Sequence, residues 1–600
     1  MTATPRENLA ALRQAMKKHG LDAFVIPSAD PHLSEYLPEH WQARRDLSGF
    51  TGSVGTLAVT ADDAGVWVDS RYWEQAEHQL AGTGIGLQKS GQVAPYTEWL
   101  AANLPEGATV GVPADMLSLT GKRALEQALS AKNIRVAHPE TLLNEVWTGR
   151  PAMPSETVYI HHPDYVSESA AEKLARVRAA MKEQGTDYHL VSSLDDIAWI
   201  TNLRGNDVPY NPVFLSFLLI GADSAVLFAD HSRFNADSAA ALQAAGIEAR
   251  DYAEAAASLA ALQGSLLVEP GKTAVSTLAK LPESVRLIEN INPSTFFKST
   301  KSDADIAHIR EAMAQDGAAL CGFFAEFEQK LAAGERVTEV DVDTLLLKHR
   351  SQRPGFISPS FGTIAGFNAN AAMAHYSATE ESHSVIEGDG MLLIDSGGQY
   401  WGGTTDITRV VPVGRPSEAQ KRDYTLVLKA HIALDETVFP ENILAPMLDA
   451  ICRKPMWQAQ CDYGHGTGHG VGYFLNVHEG PQLIAYAALP NPNHAMKKGM
   501  VTSIEPGIYR PGKWGIRIEN LAANMPVEHP AETEFGKFLY FETLTLCPID
   551  TRLMLPELMS DDEIRWVNDY HAQVRSRLAP LTEGAAKDWL MARTEPISRG

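Results

Sequence analysis

The pattern of hydrophobic and polar positions predicts the same helix-to-strand unit twice in the first half of the chain. Residues 13–30 (RQAMKKHGLDAFVIPSAD) and 178–195 (RAAMKEQGTDYHLVSSLD) agree at eight of eighteen positions. In both, an amphipathic stretch ends at a glycine, Gly20 or Gly185, and an apolar strand follows. A glycine at this place is typical of a helix C-terminus. The repeat favours two similar α/β domains in tandem.

A second repeat in the same order supports this interpretation. VWVDSRYW (residues 66–73) and VLFADHSRF (residues 226–234) both read as a strand that runs into Asp, Ser, Arg and an aromatic residue. A proline-rich stretch at residues 149–155 predicts a linker between the two domains. A further boundary is expected near residues 292–302, where Ser302 can cap a long amphipathic helix.

The pattern changes after this helix, which we expect to extend from Ala304 to about Leu331. From Gly355 to Asn520 the chain has many glycines, clustered histidines and short apolar strands that end in acidic residues. We therefore expect domains over residues 1–150, 151–300 and 301–600.

Two aspartates lie in the apolar segment Met391–Val411 (MLLIDSGGQYWGGTTDITRVV). The segment predicts two strands joined by a glycine-rich turn, with Asp395 and Asp406 side by side. Burying a carboxylate in so apolar a strand is costly unless it has a partner, so we expect a cation between them. The alternative is a hydrated sheet face lined by the nearby threonines.

A second pair of acids repeats this arrangement. Residues 499–509 (GMVTSIEPGIY) and 514–525 (WGIRIENLAANM) again predict strands around a turn. Each carries one glutamate between apolar residues, Glu505 and Glu519. Isolated acids on all of these strands are difficult to explain by chance.

A glycine- and histidine-rich segment, residues 463–481, separates the two acidic pairs. Glycine occupies every second position from Gly464 to Gly472, which makes a helix very unfavourable. His465 and His469 are therefore not a helical zinc pair. On an extended strand they share one face, and their small neighbours allow close approach by other groups.

Carboxylates with one imidazole form a hard, oxygen-rich ligand set. Such a set suits Mn²⁺, or a pair of Co²⁺ or Zn²⁺ ions, better than a thiolate site does. The negative charge of four carboxylates also exceeds what one divalent cation needs. Two metals with a bridging hydroxide would balance it and would support hydrolysis.

Composition and charge exclude several classes of function. The formal net charge is −23, from 51 basic and 74 acidic residues, which disfavours a nucleic-acid partner. The hydrophobic content of 44% excludes a disordered chain. Four cysteines without a C-x-x-C pair indicate a reducing compartment. Neither a signal peptide nor a membrane span is evident, so we expect a cytoplasmic protein without a membrane partner.

The motifs IDSGGQYWGGTTDITR, GHGTGHGVG with VHEGP, IEPGIY and GIRIEN resemble those of the Xaa-Pro aminopeptidase (aminopeptidase P) family of pita-bread metallopeptidases. SGFTGSVGTL with WVDSRYW, and DIAWITNLRGNDVPYNPVF, resemble the first and second domains of its large three-domain cytosolic type. FETLTLCPID and the following helical tail resemble its carboxyl-terminal extension. The resemblance implies an α/β (α+β) fold: two tandem creatinase-N-like α/β domains and a pita-bread catalytic domain, with a helical extension from about residue 538 to 600.

The resemblance also implies a site and an activity. It implies a dinuclear centre, most often of Mn²⁺, with the ligands Asp395, Asp406, His469, Glu505 and Glu519. Glu505 would also accept the proton of the bridging water. Further roles are implied in substrate contact for His375, His478 and Arg71, and in support of the site for His465 and Arg517. Ile508 departs from the aromatic residue common in the family and leaves fine substrate preference open.

The implied reaction is release of the N-terminal residue from peptides with proline in second position, by a homodimer. Prolidases share the ligands but usually lack the tandem-domain plan. Creatinase-like hydrolases and partner-binding relatives lack the metal-binding carboxylates, which are all present here. A phosphate-binding loop at residues 82–90 (GTGIGLQKS) is excluded, because no glycine directly precedes its lysine.

Overall fold

The computed structural model describes residues 3–599. The chain divides into two compact units, Met1–Ser294 and Thr295–Gly600. In the first unit, the ends of the helices and the pairing of the strands follow the repeats seen in the sequence. The second unit contains the strands that carry the isolated aspartates and glutamates. Among residues 3–599, no helix combines the length and the hydrophobicity that crossing a membrane requires.

The first half of the first unit is a six-stranded sheet with helices. Its strands are β1 (Ala23–Pro27), β2 (Thr56–Thr60), β3 (Ala64–Val68), β4 (Gly86–Lys89), β5 (Thr109–Gly111) and β6 (Arg135–Ala137). Its helices are α1 (Pro5–Lys18), α2 (Ala43–Ser48), α3 (Trp73–Leu80), α4 (Tyr96–Asn103), α5 (Leu119–Leu129) and α6 (Leu142–Val146). The strand order is β4-β3-β2-β1-β5-β6, and β1-β2 and β2-β3 are its antiparallel pairs.

The second half of this unit repeats the first. Its strands are β7 (Tyr159–Ile160), β8 (Tyr188–Val191), β9 (Leu203–Arg204), β10 (Phe217–Gly221), β11 (Ala225–Phe228), β12 (Glu248–Arg250), β13 (Ser265–Val268) and β14 (Arg286–Glu289). Its helices are α7 (Ala170–Glu183), α8 (Leu194–Thr201), α9 (Ala236–Ala244) and α10 (Ala255–Ser258). The sheet order β12-β11-β10-β8-β13-β14 matches that of the first sheet position by position, and so do the strand directions. The prediction of two similar α/β domains in tandem is confirmed.

The predicted glycine caps explain the shared start of the two halves. Gly20 and Gly185 follow α1 and α7 with φ of +66° and +63°. This left-handed conformation costs a glycine little, and it turns the chain from each helix into the central strand of its sheet, β1 or β8.

The second unit is built mainly of antiparallel strands. They are β15 (Phe356–Pro359), β16 (Ile364–Phe367), β17 (Gly390–Ser396), β18 (Gly398–Tyr400), β19 (Gly403–Thr404), β20 (Ile407–Val413), β21 (Val438–Pro440), β22 (Gly468–Gly470), β23 (Glu479–Ile484), β24 (Val501–Ile504), β25 (Gly507–Arg510), β26 (Trp514–Arg517), β27 (Asn520–Pro526) and β28 (Phe538–Thr543). The largest sheet has the order β21-β28-β27-β24-β22-β23, and β16-β17-β20 form a second.

The helices of this part of the chain surround a large apolar core. They are α11 (Pro293–Ser299, which includes the division between the units), α12 (Asp303–Ala332), α13 (Glu339–Arg350), α14 (Glu418–Asp435), α15 (Asp449–Gln458), α16 (Asp561–Leu578) and α17 (Gly584–Arg593). The predicted long helix is α12, and Ser302 caps it in a reciprocal pair of hydrogen bonds with Asp305. Its residues Phe323, Phe324 and Phe327 are buried in the core.

Candidate metal centre

The predicted hairpin places the two aspartates next to each other. Strands β17 and β20 pair in antiparallel register, with Asp395 opposite Thr408 and Ser396 opposite Ile407. Asp406 directly precedes β20. Both carboxylates are buried, with 7% and 4% of each residue exposed. The hydrated sheet face considered above is therefore not what the structure has.

The two glutamates come to the same place from neighbouring strands. Glu505 follows β24, and its backbone N–H donates to the carbonyl of Thr467 over 2.8 Å. Glu519 lies between β26 and β27, and its backbone N–H donates to the carbonyl of Thr408 over 3.2 Å. The second bond attaches Glu519 to the aspartate hairpin, because Thr408 belongs to β20.

His469 lies on β22 and faces these acids. Its Nε2 is 3.6 Å from Oδ2 of Asp406 and 3.4 Å from Oε1 of Glu505. One ligand atom each of Asp406, His469 and Glu519 lie within 4.8 Å of one another. His469 Nδ1 is 2.9 Å from the carbonyl of Gly470, which can only accept a hydrogen bond. The ring lone pair is then on Nε2, the atom next to the carboxylates, which is the arrangement of a metal-binding histidine.

Close approach of backbones explains three of the alternating glycines. A Cβ on Gly468 would lie 1.9 Å from the carbonyl oxygen of Ser503 on β24, and one on Gly470 would lie 2.5 Å from that of Glu479 on β23. A Cβ on Gly472 would lie 2.7 Å from the carbonyl oxygen of Asn476. Side chains at Gly468 and Gly470 would force β22 away from the neighbouring strands, and one at Gly472 would clash with the loop that follows.

The prediction that His465 and His469 share one face of a strand is wrong. Strand β22 begins only at Gly468, and His465 lies in a bend before it. The reason is Arg453, a buried residue of α15, which donates to the carbonyls of Tyr463 and His465 over 2.7 and 2.6 Å. These carbonyls are therefore bonded to a side chain instead of a neighbouring strand.

His465 contacts a different set of groups from His469. Its Nδ1 donates to the carbonyl of Gly466 over 2.7 Å, and its Nε2 is 2.8 Å from the hydroxyl of Tyr509. The same hydroxyl accepts a hydrogen bond of 2.7 Å from Nη1 of Arg517. His465 thus reaches the acids through Tyr509 and Arg517.

The electrostatics of the acids fit bound cations. Burial, together with the charges of Asp395 and Glu505, raises the pKa of Asp406 well above its usual range. Burial and Asp406 do the same to the pKa of Glu519, and burial raises the pKa of Glu505 to about 7. Within the described residues, Oδ1 of Asp395 is buried without a hydrogen-bond partner. Mutually repelling carboxylates and an unsatisfied oxygen are what divalent cations would neutralise, so these residues fit a two-metal site.

Neighbouring polar residues orient the carboxylates. Arg517 donates to Oδ2 of Asp395 over 2.6 Å and to Oγ1 of Thr408 over 3.1 Å. Thr408 in turn donates to Oε2 of Glu519 over 2.7 Å, and Ser503 donates to Oε1 of Glu505 over 3.1 Å.

Sequence reasoning missed Thr408, Ser503 and Tyr509. For Thr408 there was a signal, because two residues after Asp406 it falls on the same face of the predicted strand.

The other residues predicted to belong to the site, His478, His375 and Arg71, lie in three different parts of the chain. His478 directly precedes β23, and its ring centroid is 4.4 Å from that of His469, with the planes 80° apart. His375 lies in the loop between β16 and β17. Arg71 belongs to the other unit, where its side chain donates two hydrogen bonds of 2.8 Å to Asp69.

Family models match almost the whole length of the chain. Residues 307–523 match metallopeptidase family M24, and residues 537–597 match the C-terminal region of that peptidase. Residues 8–145 and 149–305 each match a creatinase/prolidase N-terminal domain. These matches agree with the predicted fold class: tandem N-terminal domains, a pita-bread catalytic domain and a C-terminal extension.

Full-length relatives show the family. Aminopeptidase P2 of Arabidopsis thaliana is 38% identical, and the alignment covers 99% of this chain and 89% of the relative. A probable Xaa-Pro aminopeptidase P of Coprinopsis cinerea is 37% identical over 99% of both chains. X-prolyl aminopeptidase of Caenorhabditis elegans, described as a cytosolic enzyme with a di-nuclear active site, superposes with a TM-score of 0.94 at 30% identity, over 99% of this chain and 100% of its own. The chain belongs to the aminopeptidase P family of M24 metallopeptidases.

Proposed function

We propose that this member of the aminopeptidase P family is a metal-dependent aminopeptidase that releases the N-terminal residue of peptides with proline in second position. The observation that carries the proposal is the convergence of Asp406, His469 and Glu519 within 4.8 Å, on a chain aligned over its whole length with aminopeptidases P. An Xaa-Pro bond lacks the amide N–H that most peptidases bind, and the proline ring restricts its geometry. A site built around metal ions does not depend on that N–H.

We propose two divalent cations held by Asp395, Asp406, His469, Glu505 and Glu519. The hard carboxylate oxygens favour Mn²⁺, with Co²⁺ or Zn²⁺ as alternatives. When bound, such a pair would supply Lewis-acid chemistry, which polarises a carbonyl and lowers the pKa of water. Arg517 holds one oxygen of Asp395 at 2.6 Å, and the other oxygen, which has no hydrogen-bond partner among the described residues, is left for a cation.

The proton-transfer and hydrogen-bonding roles follow from position. We propose that Glu505, which lies 3.4 Å from His469, accepts the proton of the attacking water. His478 packs against His469 and donates a hydrogen bond to the reacting carbonyl, and His375 binds the reacting part of the substrate from its loop, with a hydrogen bond that strengthens in the transition state. His465 supports Arg517 through Tyr509. Arg71 contacts residues of the peptide beyond the cleaved bond.

Metal analysis combined with peptide hydrolysis tests the proposal. Purified protein with two Mn²⁺ per chain should cleave Arg-Pro-Pro and release arginine. Arg-Ala-Ala, which lacks proline, is the control and should be cleaved much more slowly. Cleavage of the dipeptide Arg-Pro but not of Arg-Pro-Pro would instead identify a prolidase. Activity that survives complete removal of metal would exclude the proposed mechanism.

We also propose a cytoplasmic homodimer formed through the catalytic domain. In the second unit, the exposed rings of Trp457 and Tyr486 lie 6.1 Å apart, and Leu489 nearby in sequence is 83% exposed. Exposed apolar groups that form a contiguous patch mark an interface, and we propose that these three residues belong to one. Light scattering should give twice the chain mass, and Trp457→Ser with Leu489→Ser should shift it to the monomer. The cytosolic description of the Caenorhabditis elegans relative supports the compartment.

A further inference from the structure

A buried carboxylate outside the metal centre is fully engaged in hydrogen bonds. Glu339 is the first residue of α13 and is 1% exposed. Its Oε1 accepts from the backbone N–H of Phe367 over 2.6 Å and from the Asn370 side chain over 3.0 Å. Its Oε2 accepts from the hydroxyl of Tyr376 over 2.9 Å and from the backbone N–H of Ser384 over 2.6 Å. One side chain thus receives four separate donors.

All four donors belong to the segment that carries His375. Phe367 ends β16, Ser384 lies shortly before β17, and Tyr376 directly follows His375. The backbone reinforces the attachment, because the N–H of Glu339 donates to the carbonyl of Ser384 over 3.1 Å. The Asn370 amide also bonds the Tyr376 hydroxyl and the Ser384 hydroxyl, each over 3.0 Å. Glu339 therefore joins both ends and the middle of this loop.

The chemistry of these contacts favours a single loop conformation. The donors are neutral groups, so a buried carboxylate depends on all of them for its stabilisation. Burial and the adjacent Glu339 carboxylate raise the pKa of Tyr376, so its phenol stays protonated and donates. A buried network whose members are all satisfied loses much if any member moves.

We propose that Glu339 is a positioning residue for the peptidase reaction, which acts by holding the loop that presents His375 to the substrate. The inference rests on the substrate-binding role proposed for His375. A displacement of about 1 Å in such a group can lower a rate by about 10²-fold. Glu339 itself touches neither the metal ligands nor their hydrogen-bond partners described above.

The test uses full-length, Mn²⁺-loaded protein with Glu339→Gln and the milder Tyr376→Phe. The amide of Gln can accept fewer of these bonds and adds a donor that faces other donors. We expect kcat to fall about 10- to 100-fold for Glu339→Gln and by a smaller factor for Tyr376→Phe, with KM and metal content nearly unchanged. Glu381→Gln, an exposed glutamate of the same loop, is the matched control and should keep full kcat.

Combination with His375→Ala separates positioning from general stability. If Glu339 acts through His375, adding Glu339→Gln or Tyr376→Phe to His375→Ala should lower kcat no further. An undiminished further loss in the double variants would overturn the inference and leave the role of His375 intact. Full kcat in His375→Ala alone would overturn the role of His375, and the inference with it. A loss of kcat that only parallels lost metal or lost folded protein in Tyr376→Phe would also overturn it.

Discussion

Arg517 donates a hydrogen bond of 2.6 Å to Oδ2 of Asp395, while Oδ1 of the same buried carboxylate has no hydrogen-bond partner among residues 3–599. The guanidinium therefore orients Asp395 without satisfying it. One arginine also neutralises only part of the charge of Asp395, Asp406, Glu505 and Glu519. Buried charges of one sign are expensive unless they are paired. The arrangement is explained if cations complete it, and the first predictions test this.

Loss of a carboxylate should remove metal and activity together. Asp406→Ala and Glu519→Ala each delete an oxygen from the cluster that includes His469. We expect activity to become undetectable and bound Mn²⁺ to fall well below two ions per chain, as measured by elemental analysis after gel filtration. Glu387→Ala, at an exposed position before β17, should change neither. Full activity with undiminished metal in either cluster variant would contradict the ligand assignment.

Replacement of His478 should affect catalysis more than metal binding. Its ring packs 4.4 Å from that of His469, and its proposed role is hydrogen bonding to reacting groups. His478→Ala should therefore lower kcat by about 10²- to 10⁴-fold and retain nearly all metal. His529→Ala, at an exposed position, is the control. A collapse of metal content would make His478 a ligand instead.

Stabilisation by Mn²⁺ should increase with pH. Burial raises the pKa of Asp406 and Glu519, and that of Glu505 to about 7, whereas unfolded carboxyls titrate near pH ~4. Between these pKa values the metal-free folded protein holds protons that the unfolded chain has released. Its free energy of unfolding therefore falls as the pH rises. Metal binding requires the deprotonated forms.

The rise in Tm on adding Mn²⁺ should consequently be larger at pH 8 than at pH 5.5. Burial lowers the pKa of His431 to about 3. Buried histidines of this kind change the Tm of the metal-free and the metal-loaded protein alike, so their effect cancels in the rise in Tm. Calorimetry with and without Mn²⁺ at each pH measures it. An equal or larger rise at pH 5.5 would show that these carboxyls do not titrate with metal binding.

Gly468 should not tolerate a side chain. An added Cβ would lie 1.9 Å from the carbonyl oxygen of Ser503, a backbone atom that cannot rotate away. Gly468→Ala should cost more than about 2 kcal/mol of unfolding free energy and should reduce metal content, because β22 carries His469. The control is Gly466→Ala, whose Cβ would meet nothing closer than 3.3 Å. Equal Tm values for the two variants would contradict this account of the glycines.

Much of the molecule could be predicted from local patterns. Ser302 before an amphipathic stretch predicted α12, and the glycines at 20 and 185 predicted the turns into the central strands. The acids of the site were identifiable because a charged residue in an apolar strand is costly and needs a reason.

Contacts distant in sequence were not predictable in this way. The bend at His465 depends on Arg453, a residue of the preceding helix whose guanidinium donates to backbone carbonyls ten and twelve positions later. Glu339 reads as an ordinary acid in the first turn of a helix. Its role becomes visible only when the fold brings Phe367 and Ser384 to it, 28 and 45 residues along the chain.

The role of Arg71 in substrate binding remains a prediction. The alternative is that Arg71 only forms an ion pair with Asp69 within the first unit. Arg71 donates from Nε and Nη2 to the two oxygens of Asp69, each over 2.8 Å, and both side chains are partly exposed. A partly exposed pair of this kind contributes less than about 1 kcal/mol. If this ion pair is the whole function of Arg71, its loss should leave substrate binding unchanged.

If Arg71 instead contacts peptide beyond the cleaved bond, Arg71→Ala should raise KM for longer peptides more than for a minimal Xaa-Pro substrate. The length dependence is the decisive measurement, because a group that binds distant residues cannot affect a substrate that lacks them. The Tm should barely change, since the lost pair is weak. Asp69→Asn is the matched control: it weakens the same pair and keeps the arginine. If the ratio of variant KM to wild-type KM is the same for Arg71→Ala and Asp69→Asn on both substrates, the ion pair accounts for the whole effect. That result would exclude Arg71 from the site.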